Sequence, residues 1–221
     1  MAIKAVLFDL DGTIINSEEG ITKCVQHALR HFGIEEPDLK SLRFFIGPPL
    51  EMNFKEKYGF TDEQAWEGVI KYRERFDVKG IFECELYEGV AEVIKQLHEA
   101  GYVISIASSK PEVACERILE HFSLLPYFDM VVGASLDKTI STKAQVLEEL
   151  GRRMADKHIS KEEMILVGDT KFDVLGANTF GIPCIGVDYG FGTREELEKA
   201  GAVAVCSSIK EVKDYIEKEC K

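Results

Sequence analysis

With 221 residues, 45% of them hydrophobic and only 6 prolines, the chain can bury one substantial core and still carry a smaller module, which excludes a disordered protein. Its 27 basic against 39 acidic side chains leave a net charge of -12, which excludes a nucleic-acid polymer as the main partner. The longest apolar stretches, Ala5 to Phe8 and Met164 to Gly168, fall far short of the roughly 20 residues of a membrane-spanning helix, so no membrane partner is expected.

Met1-Ala-Ile-Lys4 runs straight into a strand-like segment, without the apolar core and cleavage site of a signal peptide. The cysteines (Cys24, Cys84, Cys115, Cys184, Cys206 and Cys220) form no Cys-x-x-Cys pair and several lie in apolar stretches. They read as reduced thiols, and the expected location is the cytoplasm.

The first segment, Ile3 to Phe8, is short, apolar and closed by an Asp-x-Asp-Gly turn, as expected of a buried strand in a parallel sheet. From Glu18 to Glu85 the pattern turns helical without strands: Ile21, Val25, Ala28, Leu29 and Phe32 recur at helical spacing. Further helices are predicted at Leu50 to Tyr58 and, after a Thr61 capping pattern, at Ala65 to Phe76. Residues 17–85 therefore read as an all-helical insertion between the two parts, 1–16 and 86–221, of an α/β domain.

Beyond the insertion, helix and strand alternate. Helices are predicted at Val90 to Ala100, Glu112 to His121, Thr142 to Met154, Phe172 to Phe180 and Arg194 to Lys199, with a last one at the C-terminus. Strands fall at Tyr102 to Ala107, Met130 to Val132, Met164 to Val167, Cys184 to Val187 and Val203 to Cys206. This order implies a doubly wound, Rossmann-like parallel sheet, whose ligands bind beyond the carboxyl ends of its strands.

The residues just after each strand are therefore the candidates. Asp9-Leu10-Asp11-Gly12-Thr13 puts two carboxylates on one side of the first strand end, with Gly12 free to turn sharply. Two acids so close need a cation, and an oxygen-only pair suits Mg2+; the competing reading is a capped turn. Ser108-Ser109-Lys110-Pro111 offers hydroxyls and a helix start to a phosphate, or else is an ordinary helix cap. Lys143, at the start of a helix, opposes the helix dipole and calls for a nearby anion; solvent exposure is the alternative, and Lys138 is a rival lysine. Gly168-Asp169-Thr170-Lys171-Phe172-Asp173 adds two more acids, Asp169 as a further metal ligand or else as the cap of the next helix.

These four segments, in this order, resemble the haloacid dehalogenase superfamily, whose motifs match Asp9, Asp11 and Thr13, then Ser108, then Lys143, then Asp169 with Asp173. The insertion lies where that family carries a helical cap. Phe45-Ile-Gly-Pro-Pro-Leu50, Leu86-Tyr-Glu-Gly-Val90 and Tyr189-Gly-Phe-Gly-Thr-Arg-Glu195 point to the phosphoglycolate phosphatase and 5′-nucleotidase-like branch. Ser108 stands where the family often has threonine, Ser109 where the phosphoglycolate branch often has asparagine, and no Lys-Pro pair surrounds Lys143.

The resemblance implies a Mg2+-dependent phosphatase of a small phosphate ester, acting as a monomer or homodimer. Asp9 would be the nucleophile and Asp11 the acid and base; Ser108, Ser109 and Lys143 would hold phosphate. The metal would be held by Asp9, the Asp11 backbone carbonyl and Asp169, with Asp173 supporting the metal or orienting Lys143. In the cap, Arg43, Gly47, Pro48, Tyr72 and Arg73 are candidate substrate readers, although Tyr72 and Arg73 also fit an exposed helix edge. A sugar phosphomutase on the same fold is the nearest rival, and a non-enzymatic phospho-accepting receiver module a more distant one. His27 and His31 have the i, i+4 spacing of metal ligands but no third ligand, and fit a helix surface better.

Overall fold

The computed structural model describes residues 2–135, 137 and 139–219, so Lys138 and Cys220 lie outside the described residues. The chain divides into two compact units: Met1–Ile15 with Leu86–Lys221, and Asn16–Glu85.

The first unit is built on a six-stranded sheet. Its strands are β1 (Ala5–Phe8), β4 (Val103–Pro111), β5 (Met130–Ala134), β6 (Met164–Gly168), β7 (Cys184–Val187) and β8 (Ala204–Cys206). All pairings are parallel, in the order β5-β4-β1-β6-β7-β8. β1, a run of four apolar residues buried on both faces, is central, with Phe8 level with Ile106 of β4 and Val167 of β6. The chain builds outward from β1 through β4 to β5, then returns to β6 and builds the other way. The carboxyl end of β1 thus lies at the topological switch point, where an open α/β sheet leaves a crevice.

The helices of this unit are α4 (Val90–Glu99), α5 (Glu112–His121), α6 (Lys143–Ala155), α7 (Lys171–Phe180), α8 (Arg194–Ala200) and α9 (Ile209–Glu219). One core lies between the sheet and α6, α7 and α8, where Leu7, Leu166, Leu147, Leu150, Val174 and Leu197 are all fully buried. Capping boxes start three of these helices: Thr142 with Gln145, Thr170 with Asp173, and Thr193 with Glu196.

β4 differs from its expected extent. It does not stop at Ala107 but stays extended to Pro111, with a register irregularity against β5 between those residues. Pro111 sits at φ -54°, ψ 135° and disfavours helix in the residue before it, so α5 begins at Glu112. Ser108 and Ser109 are therefore on a strand end, not at a helix N-terminus.

The second unit is helical: α1 (Glu18–His31), a 3₁₀ stretch Leu39–Phe45, α2 (Leu50–Tyr58), α3 (Asp62–Phe76) and a 3₁₀ turn Gly80–Phe82. Its acids Glu18 and Glu19 open α1 and Arg30 and His31 close it, as the helix dipole favours. An aromatic cluster fills the unit, with Phe45 against Phe54 at 4.9 Å and Phe54 stacked on Phe60 at 5.6 Å between ring centres. The expectation of no strand from Glu18 to Glu85 fails at its end. Glu85 is extended, in β3 (Glu85–Leu86), which pairs with β2 (Ile15–Asn16) where the chain passes between units.

Candidate active site

Asp9 continues the line of β1, its N–H donating to the Val167 carbonyl at 2.9 Å, and so reaches the switch point directly off a rigid strand. The chain then turns tightly: the Leu10 carbonyl accepts from the backbone N–H groups of Thr13, Ile14 and Ile15. Gly12 takes φ +84° in this turn, a conformation that carries a penalty for any other residue.

Lys143 is buried rather than solvated. Its Nζ stands 2.8 Å from Asp9 Oδ1 and 2.7 Å from Asp173 Oδ1, and donates to the Ala107 carbonyl at 2.7 Å. The helix-start lysine stands between two anions, and Asp173 contacts it directly. Burial pulls the Lys143 ammonium toward lower pKa, but Asp173 and Asp9 outweigh it and hold the group above its ordinary range. Burial in turn pushes Asp9 up to about 6, against the opposing charge of Lys143.

Asp169 is fully buried and is not the cap of α7; Thr170 and Asp173 perform that task. Instead its two oxygens are fixed separately, Oδ1 accepting from Thr13 Oγ1 at 3.3 Å and Oδ2 from the Phe191 N–H at 2.8 Å. Burial, then the charges of Asp173 and Asp9, push its carboxyl well above the usual range. Tyr189 ties the same loop down through its hydroxyl to the Thr13 carbonyl at 2.9 Å.

Asp9, Asp169 and Asp173 can each offer an oxygen within 4.8 Å of the others. The Asp11 carboxylate stands outside this trio, where Lys110 Nζ lies 3.0 Å from its Oδ2. Asp9 Oδ1 touches Lys143 without a hydrogen bond of good angle, and Asp11 Oδ1 is buried with no hydrogen-bond partner among the described residues. Four carboxylates here face two ammonium groups, Lys110 and Lys143, leaving two negative charges in excess when all are ionised. An all-oxygen donor set with that deficit fits one hard divalent cation.

Ser108 is buried, and its Oγ accepts from the Lys110 N–H at 3.3 Å; Ser109 is half-buried beside it. The sequence assigns no role to Lys110 or to the Thr13 hydroxyl, although both lie in quoted segments that follow strands, whereas Gly190-Phe-Gly192 reads as a tight loop rimming the site.

In the helical unit, Tyr72 is buried and stacks on Phe76 at 5.2 Å, which corrects the expectation of an exposed helix edge; Arg73 beside it is half-buried. Amphipathic spacing places residue 72 on the inward stripe of α3 and leaves Arg73 on its margin. Arg43 is exposed and holds Glu18 with two hydrogen bonds of 2.6 Å; Gly47 is exposed and Pro48 half-buried. His27 is exposed and His31 lies 2.7 Å from Glu67.

The model of the family described as haloacid dehalogenase-like hydrolase matches residues 6–187. A protein of Pseudomonas aeruginosa named 5′-nucleotidase is 41% identical over 213 residues, covering 96% of this chain and 95% of that one. Tyrosine-protein kinase PtkA of Mycobacterium tuberculosis is 32% identical over 200 residues, covering 90% of this chain and 67% of its own. The crystal structure of a predicted phosphatase from Clostridium acetobutylicum superposes with a TM-score of 0.92 at 43% identity, over 99% of this chain and all of that one. The chain therefore belongs to the haloacid dehalogenase-like hydrolases, and within them to the phosphoric monoester hydrolases.

Proposed function

We propose that this chain is a Mg2+-dependent phosphatase that hydrolyses a small phosphate monoester through an aspartyl-phosphate on Asp9. A nucleoside 5′-monophosphate is the first candidate substrate and phosphoglycolate the second. The observation that carries the reading is the buried set at the end of β1: Asp9 within reach of Asp169, Asp173 and Lys143, with Asp11 two residues on. The choice of substrate class rests on the 41% identity to a protein named 5′-nucleotidase.

Asp9, the Asp11 carbonyl and Asp169 would hold Mg2+, which when bound neutralises phosphate charge and so lets an anion enter an acidic pocket. The Asp9 carboxylate attacks phosphorus, the bond to the alcohol oxygen breaks, and Asp11 gives that oxygen its proton. Asp11 then takes a proton from water, which attacks the aspartyl-phosphate and frees Asp9 and inorganic phosphate. Lys143, with Ser108, Ser109 and backbone N–H groups, holds the phosphoryl oxygens.

Arg43, Gly47, Tyr72 and Arg73 remain the candidates in a helical cap, with Arg43 favoured by its exposure and Tyr72 least by its burial. The described cysteines, Cys24, Cys84, Cys115, Cys184 and Cys206, form no disulfide with one another, which supports a reducing, cytoplasmic setting; the enzyme acts there as a monomer or homodimer. No helix among the described residues is long and apolar enough to cross a membrane.

The test is phosphate release from nucleoside monophosphates, phosphoglycolate, sugar phosphates, phosphotyrosine and pyrophosphate, with and without Mg2+, beside Asp9→Asn. Hydrolysis that needs both the metal and Asp9 supports the reading. Release that survives Asp9→Asn or chelation overturns the mechanism, and phosphate found moved to a second sugar position makes the enzyme a mutase.

A further inference from the structure

Lys143 cannot serve all the carboxylates of the site. An ammonium group has three N–H donors, and those of Lys143 face Asp9, Asp173 and the Ala107 carbonyl. Asp11, 99 residues away in sequence, is met instead by Lys110, whose Nζ lies 3.0 Å from Asp11 Oδ2. Neither side chain is much exposed, at 7% for Lys110 and 14% for Asp11, so the pair is screened weakly and its geometry is held by charge.

The backbone is shaped for this contact. The extended run of β4 past Ala107, with its register irregularity against β5, carries Lys110 past the end of β1, whose Phe8 is level with Ile106, and the Lys110 N–H is tied to Ser108 Oγ at 3.3 Å. The result is an asymmetric carboxylate: Oδ2 of Asp11 is held by an ammonium group, whereas Oδ1 is buried and has no hydrogen-bond partner among the described residues.

We propose that Lys110 is the positioning residue of Asp11, pinning Oδ2 so that Oδ1 is the oxygen that exchanges the proton with the leaving group. This rests on the reading of Asp11 as acid and base. Lys110 does not touch the reacting atoms; it fixes the one side chain that delivers the proton, and a flexible Asp11 would deliver it poorly.

The experiment compares two substrates whose leaving groups need the proton to different degrees: a nucleoside 5′-monophosphate, which expels an alkoxide, and p-nitrophenyl phosphate, which expels a stable phenolate. The readout is kcat/KM, which reports formation of the aspartyl-phosphate, for wild type, Lys110→Met, Lys110→Arg and Asp11→Asn. Lys110→Met is expected to lower kcat/KM about 100-fold on the nucleotide, the scale of a general acid, and at least about tenfold less severely on the nitrophenyl ester. Asp11→Asn shows the same split, and Lys110→Arg, which keeps the cation, recovers most of the nucleotide activity.

If Lys110→Met lowers both substrates equally while Asp11→Asn shows the split, Lys110 is only structural and the proposal fails alone. If Asp11→Asn shows no split, the reading of Asp11 as acid fails and the proposal with it. Should Lys110→Met not fold, Lys110→Arg and Lys110→Gln carry the comparison: a split for Gln but not for Arg supports the proposal, and equal losses for both overturn it.

Discussion

Asp173 holds Lys143 with one oxygen and the start of its own helix with the other. Oδ1 lies 2.7 Å from Lys143 Nζ, while Oδ2 accepts from the Thr170 N–H at 3.0 Å and from Thr170 Oγ1 at 2.8 Å. A capping residue is thereby made to aim a buried lysine, and the two tasks are separable. Asp173→Asn keeps an oxygen for the cap but turns a neutral amide toward Lys143, and should lower kcat/KM about 10- to 100-fold. Stability should change less than a broken buried ion pair suggests, because the same change relieves the repulsion that Asp173 exerts on Asp9 and Asp169. Thr170→Val, which weakens only the cap, should cost about 1 kcal/mol in unfolding and leave kcat/KM near wild type. Equal activity losses in the two variants would show that the cap alone matters.

The Asp9 carboxylate destabilises the metal-free fold, because burial disfavours its charge more than Lys143 offsets it. Burial raises its pKa from 3.8 to about 6, so the folded state binds the proton more tightly than the unfolded one. The stability this confers is fully present below about pH 4 and is lost as pH rises through about 6, a change on the order of 3 kcal/mol. Asp9→Asn removes that loss. In the presence of a chelator at pH 7.5 the variant should melt above wild type, and the gap should close toward pH 4. Adding Mg2+ should raise the melting temperature of wild type at pH 7.5 and that of the variant much less. A metal-free variant that melts below wild type at pH 7.5 would refute the account.

Apolar runs ending at Asp9, at Ser108 and at Asp169 made the sheet and its strand ends legible, because parallel strands buried on both faces leave a continuous hydrophobic signature. Lys143 was legible because a cation at a helix N-terminus is unfavourable unless an anion compensates, and the anions Asp9 and Asp173 are there. Lys110 was not. Its pairing depends on β4 running extended through four further residues, and a Ser-Ser-Lys-Pro segment resembles a helix cap just as well. The burial of Tyr72 was hidden for another reason: an aromatic residue with a polar tip sits on either face of an amphipathic helix, and only the packing on Phe76 decides.

The described cysteines should be unreactive where they are buried. Burial pushes the thiols of Cys115 and Cys184 far up and that of Cys206 to about 11, so little thiolate exists near neutral pH. Cys24 is also buried, whereas Cys84 is half-buried. Under iodoacetamide at pH 7.5, peptide mass spectrometry should find Cys84 modified first among the described cysteines, and Cys115 and Cys184 only after denaturation. Phosphatase activity should outlast the labelling of Cys84. Rapid modification of Cys184 in the folded protein would contradict the packing of β7.

Gly190 is where the loop after β7 meets the acid it fixes. A Cβ there would stand 2.3 Å from the Gly12 carbonyl and 2.4 Å from Asp169 Cβ, contacts that backbone and a buried wall cannot relieve by a rotamer change. The next N–H, that of Phe191, is the donor to Asp169 Oδ2, so displacing the loop must also displace the carboxylate. Gly190→Ala should therefore weaken Mg2+ binding about 10- to 100-fold, read from the Mg2+ concentration that half-restores the melting temperature of chelated protein. Gly181→Ala separates this from general destabilisation: its φ is +89° but nothing lies within 4 Å of the added carbon, so it brings only backbone strain of about 1–2 kcal/mol. The expected pair of results is a lower melting temperature in both variants and a changed Mg2+ midpoint in Gly190→Ala alone. A midpoint that shifts equally in both would mean that the metal site responds to overall stability and not to the loop that grips Asp169.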